Sequence, residues 1–219
     1  QLIVEACQAK GLGTVLDLCA GAGGKTLALA AAMRNQGRLI ATDTNRNRLD
    51  QLKPRANRSG ATNIETRLLN PGKEKEMLSE LAGGCDLVLI DAPCSGSGTW
   101  RRNPDARWRM PDLGLGGLVA LQARILSSAA RLVKPGGRLV YATCSVLREE
   151  NEEQVAAFLA AHPTFRIVPV QQVVPHLAMV APFDHLSLTP AQHETDGFFA
   201  AVLHREIVVP QNSPADRDG

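Results

Sequence analysis

"TVLDLCAGAGGKTLALAAAMRN", residues Thr14–Asn35, joins a short apolar run to an alanine- and leucine-rich run through a stretch of small residues. Thr14–Leu18 has the composition of a buried strand, and Thr26–Asn35 that of a helix. Gly21, Gly23 and Gly24 fill the turn between them. A strand that passes through such a turn into a helix opens a βαβ unit. Its small residues let the backbone come close to a ligand at the start of the helix.

The turn admits three ligand classes. Gly24-Lys25-Thr26 matches the end of a P-loop, but that motif needs a glycine where Cys19 stands. Gly21-x-Gly23 begins a dinucleotide fingerprint, whose third glycine falls on Thr26. A loop that holds a nucleoside without its phosphates needs the glycines and no phosphate cradle. Asp43, 22 residues after Gly21, stands close to the spacing of about 20 expected for an acid that grips ribose hydroxyls. The bland alternative is a tight turn with Asp43 as a helix N-cap.

Outward from this unit the alternation repeats. Strands are expected at Arg38–Thr42, Ile64–Leu69, Asp86–Asp91 and Arg138–Thr143. Helices are expected from about Arg46 to Arg58, at Lys73–Ala82, at Leu118–Val133 and, with its acids first, at Glu149–His162. Gly136-Gly137 punctuates the last helix-to-strand step. Such alternation predicts an α/β domain, a mostly parallel sheet with helices on both faces. After His162, prolines 163, 169, 175, 182 and 190 break the chain into loops and short strands. Gly197–Arg205 reads as a last strand, antiparallel and beside the fifth. The remainder, 206–219, is a polar tail.

At 219 residues the chain is one domain with a tail, 1–205 and 206–219, long enough for a full hydrophobic core. A net charge of +2 excludes a general polycation, so a nucleic-acid footprint has to be a local basic patch. The five cysteines, Cys7, Cys19, Cys85, Cys94 and Cys144, are odd in number and lack the close pairs of a zinc site. They read as reduced thiols of a cytoplasmic protein with no metal. The apolar runs are too short to span a bilayer. The first residues begin inside an apolar helical pattern without an initiator Met, as if cut from a longer protein.

The stretch "LIDAPCSGSGTWRRNPDARWR", Leu89–Arg109, carries the densest chemistry. In open parallel sheets the ligand crevice lies beyond the carboxyl ends of the strands. Asp91 and Cys94 follow the fourth strand there, and Cys144 follows the fifth. A lone cysteine is most often a small buried hydrophobe, which is the reading for Cys7, Cys85 and the Cys19 side chain. Two thiols and a carboxylate just past neighbouring strand ends converge instead. Trp100, Arg101, Arg102, Asn103, Arg107, Trp108 and Arg109 form a basic aromatic loop suited to phosphates and an unpaired base; its bland reading is a solvated loop anchored by its tryptophans. Lys53–Gly60 reads as a solvated helix face.

"DLCAGAGGKT", "DAPCSGSGTWRRNPDARW", "GGRLVYATCSVLREENEEQV" and "TDGFFAAVLHR" resemble, in this order, the motifs of the RNA (cytosine-5) methyltransferase family, in particular its bacterial 16S rRNA (Sun/Fmu-like) branch. The resemblance runs from Gln1 to about Arg205. It implies a Rossmann-like class I S-adenosylmethionine-dependent methyltransferase fold with a mostly parallel seven-stranded sheet. It implies methyl transfer to C5 of a cytosine in structured RNA. Cys144 would attack C6, Asp91 would hold the N3/N4 edge of the base, and Cys94 would assist release. The backbone of Cys19, Ala20, Gly21, Ala22, Gly23, Gly24 and Lys25 would hold the cofactor, with Asp43 on the ribose, Asn70 near the adenine, and Arg48 and Asp91 alongside. Trp100, Arg101, Arg102, Asn103 and Arg107 would face the RNA of a monomeric enzyme.

Two positions depart from the family pattern. Ala22 stands where the family usually has proline, and Asn70 where it commonly has an aspartate on the adenine edge. The family also carries a further motif and an RNA-binding domain upstream of the first strand, which this chain lacks. Other readings are the same chemistry on tRNA, an inactive cofactor-binding RNA scaffold, and a P-loop-like nucleotide hydrolase.

Overall fold

The computed structural model describes residues 2–108, 113–177 and 184–208, with backbone alone at 106, 107 and 177. Helix α1 (Leu2–Cys7) leads into strand β1 (Thr14–Asp17), helix α2 (Gly24–Ala32) and strand β2 (Arg38–Asp43). Helices α3 (Arg46–Leu49) and α4 (Leu52–Ser59) follow, then strand β3 (Ile64–Leu68), the short helix α5 (Glu74–Met77) and strand β4 (Cys85–Asp91). Helix α6 (Gly114–Ala130), strand β5 (Val133–Thr143), helix α7 (Glu152–Ala161) and strands β6 (Phe165–Val168), β7 (Leu186–Leu188) and β8 (Phe198–Arg205) complete the frame.

The sheet runs β3-β2-β1-β4-β5-β8-β6, and β7 also pairs with β8. β6 and β7 bond to opposite halves of the same edge of β8, at Val202–Arg205 and Phe198–Ala200. The sheet is therefore seven positions wide, as expected, but built from eight strands. β1 to β5 are mutually parallel, and β8 is antiparallel to β5.

Side chains in β4 alternate between two cores, because successive residues of a strand point to opposite faces. Val88 and Ile90 pack with Leu16, Ile40, Leu139 and Tyr141 beneath α6 and α7. Leu87 and Leu89 pack with Val15, Leu39, Val140 and Ala142 beneath α1 and α2. A strand buried on both faces reads as a continuous apolar run, which is why β4 was legible without periodicity.

Several boundaries differ from expectation: α2 runs 24–32 rather than 26–35, α6 runs 114–130 rather than 118–133, and the helix expected at 73–82 is α5 followed by a 3₁₀ turn at Ser79–Leu81. Three further differences have a local reason. The single helix expected over 46–58 is two, because Pro54 has no N–H for the carbonyl four residues back. β5 starts at Val133, not Arg138, and its ladder with β4 shifts between Cys85 and Leu87 where Pro135 and two glycines intervene. The helix expected from Glu149 begins at Glu152, after a 3₁₀ turn at Arg148–Glu150 whose last side chain turns into the core. β8 ends at Arg205, and most of the polar tail, 209–219, lies outside the described residues.

The sheet order changes direction between β1 and β4: the chain winds outward through β2 and β3 on one side and through β5 on the other. A crevice opens at such a switch point, at the carboxyl ends of the strands. The opposite end is closed by Asp86, which accepts from the N–H groups of Gly13 at 3.1 Å and Thr14 at 2.7 Å and pairs with Lys134. Burial raises the Asp86 carboxyl, but Lys134 and the two N–H groups outweigh it and hold the group below the ordinary carboxylate range. A depressed acid stabilises the fold above its unfolded pKa, and the contribution fades as pH falls through the folded one. Asp86→Ala is expected to cost about 1–3 kcal/mol at neutral pH. In urea titrations its deficit against the parent should shrink below about pH 4, the ordinary aspartate range.

Candidate active site

The glycine turn sits at the switch point and presents backbone, not side chains, to open space. A Cβ at Gly21 or Gly24 would meet nothing within 4 Å, whereas one at Gly23 would lie 2.1 Å from Leu52 Cδ1. Gly23 also has φ +84°, a left-handed conformation that favours glycine. The turn is held from three sides. Gly21 N donates to Asp43 Oδ2 at 2.8 Å, Ala20 N to the Thr42 carbonyl at 2.8 Å, and Arg55 Nη1 to the Ala22 carbonyl at 2.7 Å. Arg55, read from sequence as part of a solvated face, is thus a loop clamp. Only its spacing from Leu52 on the same helix could have signalled that.

Asp43 is not a helix cap; Asn45 caps α3 by accepting from Arg48 N at 3.1 Å. The second Asp43 oxygen accepts from Asn45 N at 2.7 Å, and the carboxylate keeps lone pairs for further donors. Leu69 N donates to the Asp43 carbonyl at 2.9 Å, so the exposed Asn70 stands at the same end of the sheet. Arg48 is exposed on α3. The Cys19 side chain packs against the core, and burial pushes its thiol up.

Asp17 was missed from sequence, where it passed as a strand residue. It is fully buried beneath the turn; Thr26 Oγ1 donates to Oδ2 at 2.6 Å, and Oδ1 has no partner. Burial, then the nearby Asp91 and Asp43 charges, raise its carboxyl to about 7 against the opposing Thr26 bond and Lys25. The only sequence signal was an acid where a buried strand should be apolar.

Lys25 Nζ and Asp91 Oδ2 lie 2.5 Å apart, an ion pair that bridges the switch point from the first turn of α2 to the end of β4. Beyond Asp91, Cys94 Sγ and Cys144 Sγ are 3.4 Å apart. The Cys94 S–H bond to Cys144 favours the Cys144 thiolate and outweighs burial and the Asp91 charge, so the Cys144 thiol is held below its ordinary value, with help from Lys25. The same bond, together with burial and the Cys144 charge, drives the Cys94 thiol strongly upward. The contact thus sets the two thiols apart, with Cys144 shifted toward ionisation and Cys94 away from it.

The loop after β4 carries Trp100 half-buried, with its indole N–H enclosed and unpartnered. Arg101 and Arg102 are exposed, and both pair with the buried Asp196, Arg101 at 3.7 Å. Asn103 is exposed and its N–H closes the turn to Thr99. Trp108 does not anchor the loop in the core, being 76 % exposed. The Arg107 side chain and Arg109 lie outside the described residues. An apolar groove of about 300 Å³ beside α7, lined by Val155, Leu159, Ile167 and Phe199, contains neither cysteine nor the glycine turn. Among the described residues no group of three or more His, Cys, Asp and Glu is placed to hold a metal ion.

The profile of the 16S rRNA methyltransferase RsmB/F family matches residues 6–204. The chain belongs to this family. A curated relative named Probable ribosomal RNA small subunit methyltransferase B, from Synechocystis sp., is 39 % identical over 196 residues, 88 % of this chain and 43 % of that protein. The crystal structure of PH0851 superposes with a TM-score of 0.82 at 37 % identity, covering 93 % of this chain and 45 % of that one. A SAM-dependent methyltransferase from Aquifex aeolicus shares the fold at a TM-score of 0.56 and 16 % identity, covering 92 % and 86 %. The fold is therefore the Rossmann-like methyltransferase fold, and the chain spans less than half the length of the RsmB/F relative.

An acid whose folded pKa is raised contributes stability that is full below its unfolded value and lost as pH rises through the folded one. Stability should therefore decline between about pH 4, the ordinary aspartate value, and about pH 7, the folded value of Asp17. Urea titrations across this window should show that component in the parent and not in Asp17→Asn.

Proposed function

We propose that this RsmB/F domain transfers a methyl group from S-adenosylmethionine to C5 of a cytosine in 16S rRNA through a covalent Cys144–C6 adduct. The observation that carries the reading is the 3.4 Å contact between Cys94 and Cys144, in which the Cys144 thiol is the one shifted toward ionisation. A nucleotide hydrolase has no use for such a pair. The Cys19 side chain, packed against the core where a P-loop needs a glycine, also speaks against one.

The residues at the switch point fit the cofactor. The turn is open at Gly21 and Gly24, Asp43 keeps acceptor capacity for ribose hydroxyls, and Asn70 stands beyond β3 for the adenine edge. When bound, S-adenosylmethionine supplies an electrophilic methyl sulfonium. Cytosine C5 is too poor a nucleophile to take that methyl unaided. The Cys144 thiolate adds to C6, the C5–C6 double bond opens, and the electron pair passes to C5 and the ring. Asp91 accepts from the exocyclic amine, and the Lys25 ammonium beside it offsets the charge developing on the ring. C5 would then take the methyl group as the methyl–sulfonium bond breaks, leaving S-adenosylhomocysteine, and would still carry its own hydrogen.

The thiol pair also accounts for the exchange of roles that follows. Two of the three main causes that keep Cys94 protonated are its bond to Cys144 and the Cys144 charge. Both vanish once the Cys144 lone pair is committed to C6. Cys94 can then lose its proton to water and take the one on C5. The C5–C6 double bond re-forms, and Cys144 leaves as the thiolate it began as. One proton is released per methyl transferred.

No helix of the described residues is long and apolar enough to cross a membrane. We read the exposed Arg101, Arg102 and Asn103 with Trp100 as the RNA-facing edge of the site, its arginines set by Asp196.

Cofactor binding tests one half of this reading. Asp43→Ala should weaken S-adenosylhomocysteine binding by about 1–3 kcal/mol in titration calorimetry, the loss of a charge-assisted hydrogen bond; unchanged affinity would remove Asp43 from the site. The thiol roles are tested with a 16S rRNA fragment and S-adenosylmethionine. Cys144→Ala should form no covalent complex, while Cys94→Ala should attack more slowly, having lost the bond that favours the Cys144 thiolate, yet accumulate a methylated protein–RNA adduct that survives denaturing electrophoresis. The opposite pattern would exchange the two roles, and no adduct from either variant would count against covalent catalysis.

A further inference from the structure

Glu150 and Asn151 are adjacent in the chain, and each is buried, at 0 % and 3 % exposure. They sit at the start of α7, where sequence alone suggests acids that merely complement a helix N-terminus. Their side chains point inward instead, toward the two loops that carry the thiols.

Glu150 holds both flanks of Cys94. Its Oε1 accepts from Ser95 N at 2.8 Å, and its Oε2 from Ser95 Oγ at 2.6 Å. Gln122, on α6, donates one Nε2 bond to the Pro93 carbonyl at 2.9 Å and another to Glu150 Oε1 at 3.0 Å. Asn151 holds both flanks of Cys144. Its Oδ1 accepts from Thr143 Oγ1 at 2.5 Å, and its Nδ2 donates to the Ser145 carbonyl at 2.9 Å. The loops are also tied to each other: Ser95 Oγ and Ser97 Oγ stand 3.3 and 3.0 Å from Ser145 Oγ, and Gly98 N donates to the Cys144 carbonyl at 3.0 Å. Tyr141 donates its hydroxyl proton to the Glu150 carbonyl at 2.7 Å, which fixes the dipeptide itself.

We infer that Glu150 is a positioning residue which, with Asn151, sets the separation of Cys94 and Cys144 and so keeps the two sulfurs in contact. The inference rests on the reading that these two thiols do the chemistry, and it assigns the frame that places them. Glu150 touches neither sulfur. It acts on Cys94 through the peptide groups on either side. An S–H···S bond is sensitive to such control, because displacing Cys94 removes the main influence that favours the Cys144 thiolate. Of the remaining influences, burial and the Asp91 charge oppose ionisation, while Lys25 and a backbone N–H bond favour it.

Geometry and charge make different demands on the side chain. Glutamine in place of Glu150 keeps an oxygen for Ser95 N and Gln122, and its amide can donate to Ser95 Oγ, which is free to turn its proton to Ser145. Alanine keeps none of these contacts.

The test is the ionisation of Cys144, followed with neither RNA nor cofactor present. The rate of iodoacetamide alkylation is measured against pH, and the modified peptide is identified by mass spectrometry. The parent should alkylate Cys144 first and with an apparent pKa below the ordinary thiol value of about 8.5. Glu150→Ala, checked as folded by circular dichroism and thermal melting, should raise that pKa by a unit or more and slow alkylation at neutral pH about tenfold. Glu150→Gln should stay within about threefold of the parent, about half a pKa unit. If Glu150→Ala does not fold, Ser95→Ala carries the test; it removes the Oγ bonds, keeps the backbone one, and should move the pKa in the same direction by less. A folded Glu150→Ala or Ser95→Ala with unchanged Cys144 titration would overturn the inference. So would a Glu150→Gln as impaired as Glu150→Ala, since charge rather than position would then be acting. A shifted titration in a chain that methylates no RNA would support the frame while failing the proposed reaction. S-adenosylhomocysteine affinity should be unchanged in all three variants, because the glycine turn shares no contact with the frame.

Discussion

The parallel pairing of β4 with β5 is the constraint on which the site depends. Its register sets Asp91 opposite Ala142, so the two strands end together and release their loops side by side. Residues far apart in the chain then meet without any long connection. Asp91 reaches Lys25 on one side of the strand end, and Cys94 reaches Cys144 on the other. A slip of one residue would turn every β4 side chain to the opposite face. The two buried cores, which share β4 residue by residue, forbid that.

The site works by dividing charge over a short distance. Lys25 and Asp91 pair at the switch point, Asp17 lies buried beneath them with one oxygen unpartnered, and the two thiols stand in contact beyond. Each group biases its neighbours: the Asp91 charge raises both Asp17 and Cys144, and Lys25 lowers both. The hydrogen bond from Cys94 prevails at Cys144 because it is direct and in contact, while the charges act from further off and through solvent.

Most of the frame was legible because its signals are local. Buried parallel strands read as apolar runs, the glycine turn as small residues, and the helix ends as breaks in periodicity. The misread boundaries had tertiary causes. The shift in the β4–β5 ladder depends on a partner strand, and the late start of α7 depends on where the Glu150 side chain goes. That Asp91, Cys94 and Cys144 lie close together was legible because they stand at or just past the ends of neighbouring strands. Glu150, Asn151, Arg55 and Asp17 were not, because acids at a helix start, an arginine on a helix and an acid in a strand each have an ordinary explanation. Their roles lie in what they touch: a neighbouring loop for three of them, and for Asp17 the absence of a second partner.

β8 lies between β5 and β6, although it comes after both in the chain. Gly197, just before it, donates to the Gly98 carbonyl at 2.8 Å, and a Cβ on Gly98 would lie 2.3 Å from the Gly197 carbonyl oxygen. Gly98 is in turn the residue that holds the Cys144 backbone, and Asp196 holds Arg101 and Arg102. The loops that carry the two thiols are thus closed by residues about a hundred positions downstream. Contacts of such long range form late in folding, because the chain between them must first be ordered. During synthesis the glycine turn can take shape while the second half of the domain is still on the ribosome. The thiol loops cannot, so a nascent chain completes one end of its crevice before the other.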